Sequence, residues 1–316
     1  MFRYVIRRVL SAIPVMLIVS AAVFTLLYLT PGDPAYVILG PDARIDQIEE
    51  LRERLGLNQP WYVQLARWYG RLAQGDLGNS LFLNQPVGQA IRERAEPTLM
   101  LTLLALLVAL AIGVPTGVLS ALRRGRWVDT LVMLVAIIGV SMPSFWLGLN
   151  LIYLFGVQAK VLPVAGYQPL SAGLGENLRY LVMPAITLGL AQGALLARMT
   201  RSMMLDTLNE DYVRTARAKG LSERGVVLRH ALRNAFIPLV TVIGLSFAVL
   251  MGGAVITEQV FNIPGVGRLL IQAISRRDYP VVQGVVLVVA GMYVFVNLLV
   301  DIVYGYLDPR LRQSRA

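Results

Sequence analysis

Six long stretches of the sequence contain no charged residue, and they constrain the fold more than any other feature. These runs, each of 18 residues or more, cover residues 9–32, 97–122, 130–159, 180–197, 234–257 and 279–300. About 20 apolar residues in a helix cross the roughly 30 Å hydrocarbon layer of a bilayer. The composition agrees, since 56% of the residues are hydrophobic and 15% are charged, whereas soluble domains carry about 25% charge. The sequence therefore predicts an all-α integral membrane protein with six transmembrane helices.

Two of the runs carry further signals. The first follows a basic start, as a signal peptide would, but its 21-residue apolar stretch at 9–29 exceeds the 7–15 residues of a signal core. We therefore expect residues 1–30 to form an N-terminal tail and a retained first span. The third run contains Pro143, which predicts a kink in that span because proline interrupts helical hydrogen bonding.

The basic residues are distributed unevenly between the connecting segments. With the N-terminus placed inside, the inner segments hold 17 basic and 7 acidic residues, while the outer segments hold 12 of each. Short loops rich in Arg and Lys stay cytoplasmic. The sequence thus predicts cytoplasmic termini, an extracytoplasmic helical segment at 31–96, and a five-span core at 97–316. Within that core we expect an inner loop at about 198–235 and an outer loop at about 258–278.

The outer segment at 31–96 has its own amphipathic pattern. After Pro60, the residues Trp61, Trp68 and Tyr69 recur at helical spacing on one face. Such an aromatic face either packs onto the spans or anchors the segment at the membrane interface, and packing is the favoured interpretation.

Several kinds of site are excluded by residues that the sequence lacks. It contains no cysteine and one histidine, His230, which excludes thiol chemistry, cysteine metal sites and the two-histidine metalloprotease motif. Neither of its two lysines, Lys160 and Lys219, lies in the Gly-Lys-[Ser/Thr] context of a P-loop. We therefore expect no catalytic residue, no metal site and no ATPase site in this chain.

The absence of charge inside the runs also bears on mechanism. Ion-coupled carriers usually keep acids or histidines within the membrane, so a self-powered secondary transporter is a remote alternative, and an intramembrane enzyme lacks a nucleophile–base pair. The candidates among the strongly polar amides inside the spans are Asn150, Gln192 and Asn297. Two interpretations of them stay open, because they could line a translocation path or form hydrogen bonds between helices.

The inner loop has the signals of two short capped helices. Asn209 is suited to the N-cap of the first helix, Gly220 to its left-handed C′ position, and Ser222 to the N-cap of the second. Three residues are expected to share one face of the first helix, and they are Tyr212, Val213 and Ala216. A short helix with a small apolar tip suits insertion into a partner's groove, and a solvated surface helix is the alternative.

The residues of this loop form a recognisable motif. Residues 211–221 are Asp-Tyr-Val-Arg-Thr-Ala-Arg-Ala-Lys-Gly-Leu, and residues 230–238 are His-Ala-Leu-Arg-Asn-Ala-Phe-Ile-Pro. Four further motifs accompany them, and these are Thr-Pro-Gly-Asp-Pro at 30–34, Leu-Gly-Leu-Asn-Gln-Pro at 55–60, Gly-Asp-Leu-Gly-Asn-Ser at 75–80 and Val-Phe-Asn-Ile-Pro-Gly-Val-Gly at 260–267. With this combination, nearly the whole chain resembles the ABC-importer permeases for dipeptides, oligopeptides and nickel.

The resemblance implies a fold, partners and a location. It implies the type I ABC-importer permease fold in the cytoplasmic membrane of a bacterium or archaeon. The implied partners are a second homologous permease subunit, two cytoplasmic ATP-binding subunits that hold ATP and Mg, an extracytoplasmic solute-binding protein and the lipid bilayer, with no nucleic acid and no cofactor in this chain. The implied substrate is a di- or oligopeptide, with a nickel chelate or another small solute as alternatives.

The resemblance also implies roles for particular residues. The residues implied in coupling to the ATPases are Asp211, Tyr212, Thr215, Ala216, Lys219 and Gly220. Those implied in docking of the binding protein are Glu258, Asn262, Arg276 and Asp278. The general importer pattern places Glu-Ala-Ala before the glycine, but here Arg214 occupies the Glu position and Thr215 the first alanine position. Because the peptide subfamily looks the same, this departure favours the narrower resemblance and argues against an acidic role at that position.

Overall fold

The computed structural model describes residues 2–29, 33–40 and 42–307, and within them the chain is almost entirely helical. The helices are α1 (Phe2–Leu29), α2 (Pro34–Leu39), α3 (Ile45–Leu55), α4 (Trp61–Ala73), α5 (Val87–Leu122), α6 (Trp127–Ser141), α7 (Ser144–Leu151), α8 (Leu174–Leu208), α9 (Asp211–Ala218), α10 (Glu223–Gly225), α11 (Leu232–Val260), α12 (Val266–Ser275) and α13 (Tyr279–Leu307). Single π-helical segments extend α7 over Ile152–Gln158 and join α10 to α11 over Val226–Ala231. The start of the motif at 30–34 and the arginines Arg310, Arg312 and Arg315 lie outside the described residues.

Five of the described helical stretches are long and apolar enough to cross a membrane. They are Ile6–Thr25, Val87–Leu122, Leu174–Leu208, Glu223–Val260 and Tyr279–Val303. The third expected span is broken, since α6 and α7 meet at 97°. Met142, the residue before Pro143, is extended with φ −78° and ψ 123°, because a following proline disfavours the helical region. The six expected spans are therefore five continuous stretches and one sharply bent pair.

The chain divides into two compact units, and each is described separately. The first contains residues 97–264 and 295–307, and the second contains the described residues of 2–96 together with 265–294.

Close contact between α5 and α8 organises the first unit. A Cβ atom added at Gly117 would lie 2.5 Å from the carbonyl oxygen of Ala197, and one added at Gly189 would lie 2.5 Å from that of Ala105. Such distances exclude any side chain, so the two backbones approach directly, as is common for small residues in membrane helices. Leu101, Leu181 and Leu250 belong to the adjoining buried core.

The second unit packs α4 against α1 and α12 against parts of α5 and α13. Trp68 on α4 is buried against Phe24, and the Tyr69 and Ser20 hydroxyls lie 2.9 Å apart. The aromatic face of α4 thus packs onto a span at Trp68 and Tyr69, as expected, whereas Trp61 is exposed. The core under α12 is built from Val87, Ala90, Ile91, Val266, Leu269, Ala273, Val281, Val282 and Val285.

Candidate coupling site

The inner loop folds as α9, a two-turn helix between the end of α8 and the start of α10. Glu210 is its N-cap, with φ −68° and ψ 146°, and Asp211 lies in its first turn, where a negative charge is favourable. Asn209, expected as the N-cap, instead ends α8, and its side-chain amide donates to the carbonyl of Leu205 at 2.9 Å. That prediction was wrong because asparagine suits the C-terminal end of a helix as well as its N-cap.

The other end of α9 follows the sequence signals. Gly220 has φ +76°, the left-handed conformation that glycine adopts without a steric cost. Its amide donates to the carbonyl of Arg217 at 2.9 Å, and the amide of Leu221 donates to that of Ala216 at 3.4 Å. Ser222 then caps α10 by accepting a hydrogen bond from the amide of Gly225 at 3.3 Å. The turn at Gly220 and the cap at Ser222 therefore fix the direction in which the chain leaves α9.

The apolar side of α9 faces the chain itself rather than solvent. Val213 and Ala216 are 0% and 6% exposed, and they pack with Val226 and Leu208. The expected exposed tip of Tyr212, Val213 and Ala216 is therefore wrong in two of its three residues. An amphipathic helix gains free energy by burying its apolar stripe, and the sequence does not show which surface covers it. Tyr212 is exposed, and its hydroxyl accepts a hydrogen bond from Asn234 at 2.9 Å.

The outward side of α9 is polar. Its exposed residues are Asp211, Tyr212, Arg214, Thr215, Arg217 and Ala218, followed by Lys219 and Gly220. The Thr215 hydroxyl donates to the carbonyl of Asp211 at 2.9 Å, so it serves the helix itself. Five of the six predicted coupling residues thus lie at the surface, and Ala216 lies beneath it.

One ion pair ties α9 to α10. Arg217 donates to Glu223 through Nε at 3.1 Å and through Nη2 at 2.8 Å. The hydrogen bond to this carboxylate is the main cause that raises the pKa of Arg217. Because both side chains are well exposed, solvent screens the pair and its effect on stability is small. The bidentate geometry nevertheless orients the two helices.

The residues beneath α9 connect it to the long helices. Leu208, the last residue of α8, contacts the buried side of α9, and Met204, one turn earlier, packs with Ala121 of α5. Val227 and Ala231, which follow α10, complete this cluster. These two clusters link α9 to the ends of α5, α8 and α11 through Leu208.

Sequence reasoning missed a polar cluster next to this support. Asp129, in the first turn of α6, is 5% exposed and accepts two hydrogen bonds from Arg201 of α8, each at 2.7 Å. It also accepts hydrogen bonds from the amide of Gly125 at 3.0 Å and from the Ser120 hydroxyl. The sequence signal for this cluster is an acid three residues after the basic turn at 123–126.

The three candidate path amides have separate surroundings. Gln192 on α8 is buried, and its Nε2 donates to the Ser246 hydroxyl of α11 at 2.6 Å, which is the helix–helix alternative left open above. Asn150 donates to the carbonyl of Trp146 in its own helix at 2.7 Å. Asn297 is half-buried on α13. Among the residues that the structure describes, no hydrogen bond joins these amides to one another.

Two of the four expected docking residues are buried within the chain. Glu258, in the first unit, is 0% exposed and accepts a hydrogen bond from the Thr98 hydroxyl at 2.5 Å. Asp278, in the second unit, accepts hydrogen bonds from the Ser80 hydroxyl at 2.5 Å and from the amide of Leu81 at 3.3 Å. Hydroxyl and amide donors compensate the burial of these carboxylates.

The other two expected docking residues are at the surface. Asn262 follows α11 with φ +54°, and Arg276 caps the end of α12. Both are exposed, so a role in docking stays a prediction for them.

Comparisons with known proteins agree with this architecture. The family described as binding-protein-dependent transport system inner membrane component matches residues 113–313, and the N-terminal family of such membrane components matches residues 1–102. A protein named as a peptide ABC transporter permease of Sinorhizobium fredii is 46% identical over 98% of this chain and 99% of its own length. The glutathione transport system permease protein of Escherichia coli K12 is 44% identical over 99% of both chains.

A solved structure supports the fold. A chain of the methionine ABC transporter MetNI, in an inward-facing conformation, aligns with a TM-score of 0.55 over 70% of this chain and 97% of its own. At 19% identity this likeness concerns the fold alone. It confirms the expected fold class, an all-α membrane protein with the type I importer permease fold.

Proposed function

The chain belongs to the family of inner membrane components of binding-protein-dependent transport systems, and we propose that it is one of two permease subunits of an ATP-driven importer for peptides. The second subunit is a homologue, and the two line a translocation path between them. Two cytoplasmic subunits bind ATP and Mg, and an extracytoplasmic binding protein delivers the peptide. Both termini of this chain face the cytoplasm of a bacterium or archaeon, in line with its charge distribution.

The geometry of α9 carries this proposal. It is a short helix with fixed ends, a polar outward face and a buried inward face on the ends of three long helices. Such a helix can receive a mechanical displacement and pass it on, since the side chains beneath it contact one another and close-packed interiors transmit strain. ATP binding closes the ATPase pair, and because the two states of the permease bind the closed pair unequally, closure shifts the permease between inward-open and outward-open arrangements.

The proposed contacts with the ATPase lie on the outward face of α9. Asp211, Tyr212, Thr215, Lys219 and Gly220 are exposed and meet the ATPase. Ala216 supports the helix from beneath, where only a small side chain fits between Leu208 and Val226. The recognition is polar, with cations of α9 facing the ATPase surface, so it weakens as ionic strength rises.

The names of the relatives support a peptide substrate, since one is named for peptide transport and another for glutathione transport. Two amides, Asn150 and Asn297, stay candidates for the path because each lies on a span and neither is joined by a hydrogen bond to a different described helix. Asn262 and Arg276 stay candidates for contact with the binding protein because both are exposed.

Purification of the tagged chain with its partners tests the proposal. The chain is expressed from its native gene cluster with a C-terminal tag, extracted in mild detergent, and examined by mass spectrometry and by ATPase assay. We expect a second six-span protein, P-loop ATPase subunits and peptide uptake into liposomes that depends on internal ATP and on the binding protein. A chain that purifies alone and still transports solute in an ion gradient would overturn the proposal.

A further inference from the structure

The carboxylate of Asp129 is held by donors from three segments of the first unit. Arg201 supplies two from α8, Gly125 one from the turn before α6, and Ser120 one from the last turns of α5. A carboxylate has about four lone-pair sites, so this one is fully occupied. A bidentate pair with arginine also fixes orientation. The start of α6 is therefore held at a set distance and angle against α8.

The same end of α8 supports α9. Arg201 lies about two helical turns before Leu208, and Leu208 contacts the buried residues Val213 and Ala216 of α9. The helix between Arg201 and Leu208 is uninterrupted. A displacement of α9 therefore reaches Arg201 through a continuous rod, and reaches Asp129 through two hydrogen bonds of 2.7 Å.

Both α5 and α6 also contact α8 away from Asp129. The backbones of α5 and α8 already touch at Gly117 and Gly189, so α5 follows α8 without help. α6 also packs along α8, since a Cβ added at Gly139 would lie 3.4 Å from the Cβ of Ala194, and it is the first half of the broken span, which meets α7 at 97°. A charge pair in this buried position adds little stability over an apolar pair of similar volume, so its geometry is the better reason for its presence.

We propose that Asp129 and Arg201 are positioning residues for energy coupling, which transmit the movement of α9 to α6 and so to the broken span. This inference rests on the proposed function of α9 as the ATPase contact. The pair touches neither ATP nor substrate, so it acts by keeping α6 and α8 in one rigid body when α9 is displaced.

The test measures peptide taken up per ATP hydrolysed by the complete transporter in liposomes, together with the amount of complex assembled. Removing Arg201 alone would leave the buried carboxylate of Asp129 without its charged partner, so the main variant is the double substitution Asp129→Asn with Arg201→Gln. The matched control removes the exposed pair at the opposite end of α8, Glu176→Gln with Arg179→Gln, whose atoms lie 3.9 Å apart.

The main variant is expected to assemble and to hydrolyse ATP, but to import less peptide per ATP than the wild type by a factor of about 5 or more. A factor of about 5 is the lower end of the usual range for coupled sites. The control is expected to keep the wild-type ratio. A wild-type ratio in an assembled double variant, with or without reduced thermal stability, would overturn the inference.

A second variant covers the case in which the double substitution does not assemble. Arg201→Lys keeps the charge but gives up the bidentate geometry, so we expect assembly and a reduced ratio, and an unchanged ratio would refute a positioning role. The wild-type transporter distinguishes a failure of the proposed function from a failure of this inference. If it shows no ATP-driven peptide uptake, the proposed function fails and the inference fails with it, whereas a normal wild type with an unaffected variant removes the inference alone.

Discussion

Gly220 ends α9 with φ +76°, and its replacement by valine is expected to separate ATP hydrolysis from transport. A residue other than glycine in this conformation is strained by about 1–2 kcal/mol, and a β-branched residue is a clear outlier there. No atom lies within 4 Å of a Cβ added at Gly220, so the cost comes from the backbone alone. This backbone strain is relieved if the end of the helix frays, which breaks the hydrogen bonds from the amides of residues 220 and 221 to the carbonyls of Arg217 and Ala216.

The magnitude of this strain decides what is observed. About 1–2 kcal/mol changes the ratio of ordered to frayed helix end by roughly 5- to 30-fold, and it is small against the 5–15 kcal/mol that hold a domain together. We therefore expect Gly220→Val to assemble with its partners and to leave basal ATP hydrolysis in place. Peptide uptake per ATP is expected to fall, because a frayed end no longer carries displacement into α10.

Two controls isolate the conformation from the substitution. Gly220→Asn introduces a side chain that tolerates the left-handed region and is expected to keep most of the coupling. Gly75→Val introduces the same strain in the outer segment, where φ is +75° and no atom lies within 4 Å of the added Cβ, and is expected to leave the uptake ratio unchanged. Equal ratios for Gly220→Val and Gly220→Asn would refute the reasoning.

The remaining predictions concern residues whose surroundings differ from the sequence expectation. Ala216→Arg is expected to lower the melting temperature and the amount of assembled complex, since overpacking costs roughly 1–3 kcal/mol and a charge is buried as well; a variant of normal stability that only loses the ATPase would contradict this. Gln192→Leu is expected to lower thermal stability by about 0.6 kcal/mol, the average for a hydrogen bond between membrane helices, with substrate preference unchanged; altered preference in competition uptake assays would return Gln192 to the path. Asp278→Ala is expected to lower the melting temperature without changing affinity for the binding protein. Arg276→Ala is expected to lower that affinity without changing the melting temperature. Melting curves and binding titrations on the purified transporter test both.

The sequence predicted those features that local physics determines. The charge-free runs located the spans, because a bilayer excludes charge from any segment that crosses it. Gly220 and Ser222 were placed correctly, because a helix end needs a left-handed residue or a side-chain acceptor within a few positions. Pro143 predicted a kink because proline interrupts helical hydrogen bonding. The 97° angle depends on packing that no local sequence pattern records.

The features that escaped prediction all depend on contacts between distant parts of the chain. Glu258 and Asp278 lie beside turns, and the hydroxyls that donate hydrogen bonds to their buried carboxylates, those of Thr98 and Ser80, lie 160 and 198 positions away. Val213 and Ala216 form an apolar stripe, but nothing within the stripe shows whether a partner or the chain itself covers it. Asp129 was visible only as one acid among arginines, since its partner on α8 is 72 residues away.

The hydrogen bond from Ser80 to Asp278 has a consequence for biosynthesis. The second unit is assembled from residues 2–96 and 265–294, so its first part leaves the ribosome long before its second. At the usual 5–20 residues per second, the 198 positions between Ser80 and Asp278 correspond to a delay of roughly 10–40 s. Throughout that time the apolar surface of Val87 and Ile91, which α12 later covers, is not buried by α12. This surface thus stays accessible to chaperones and proteases in the nascent protein until α12 has been made.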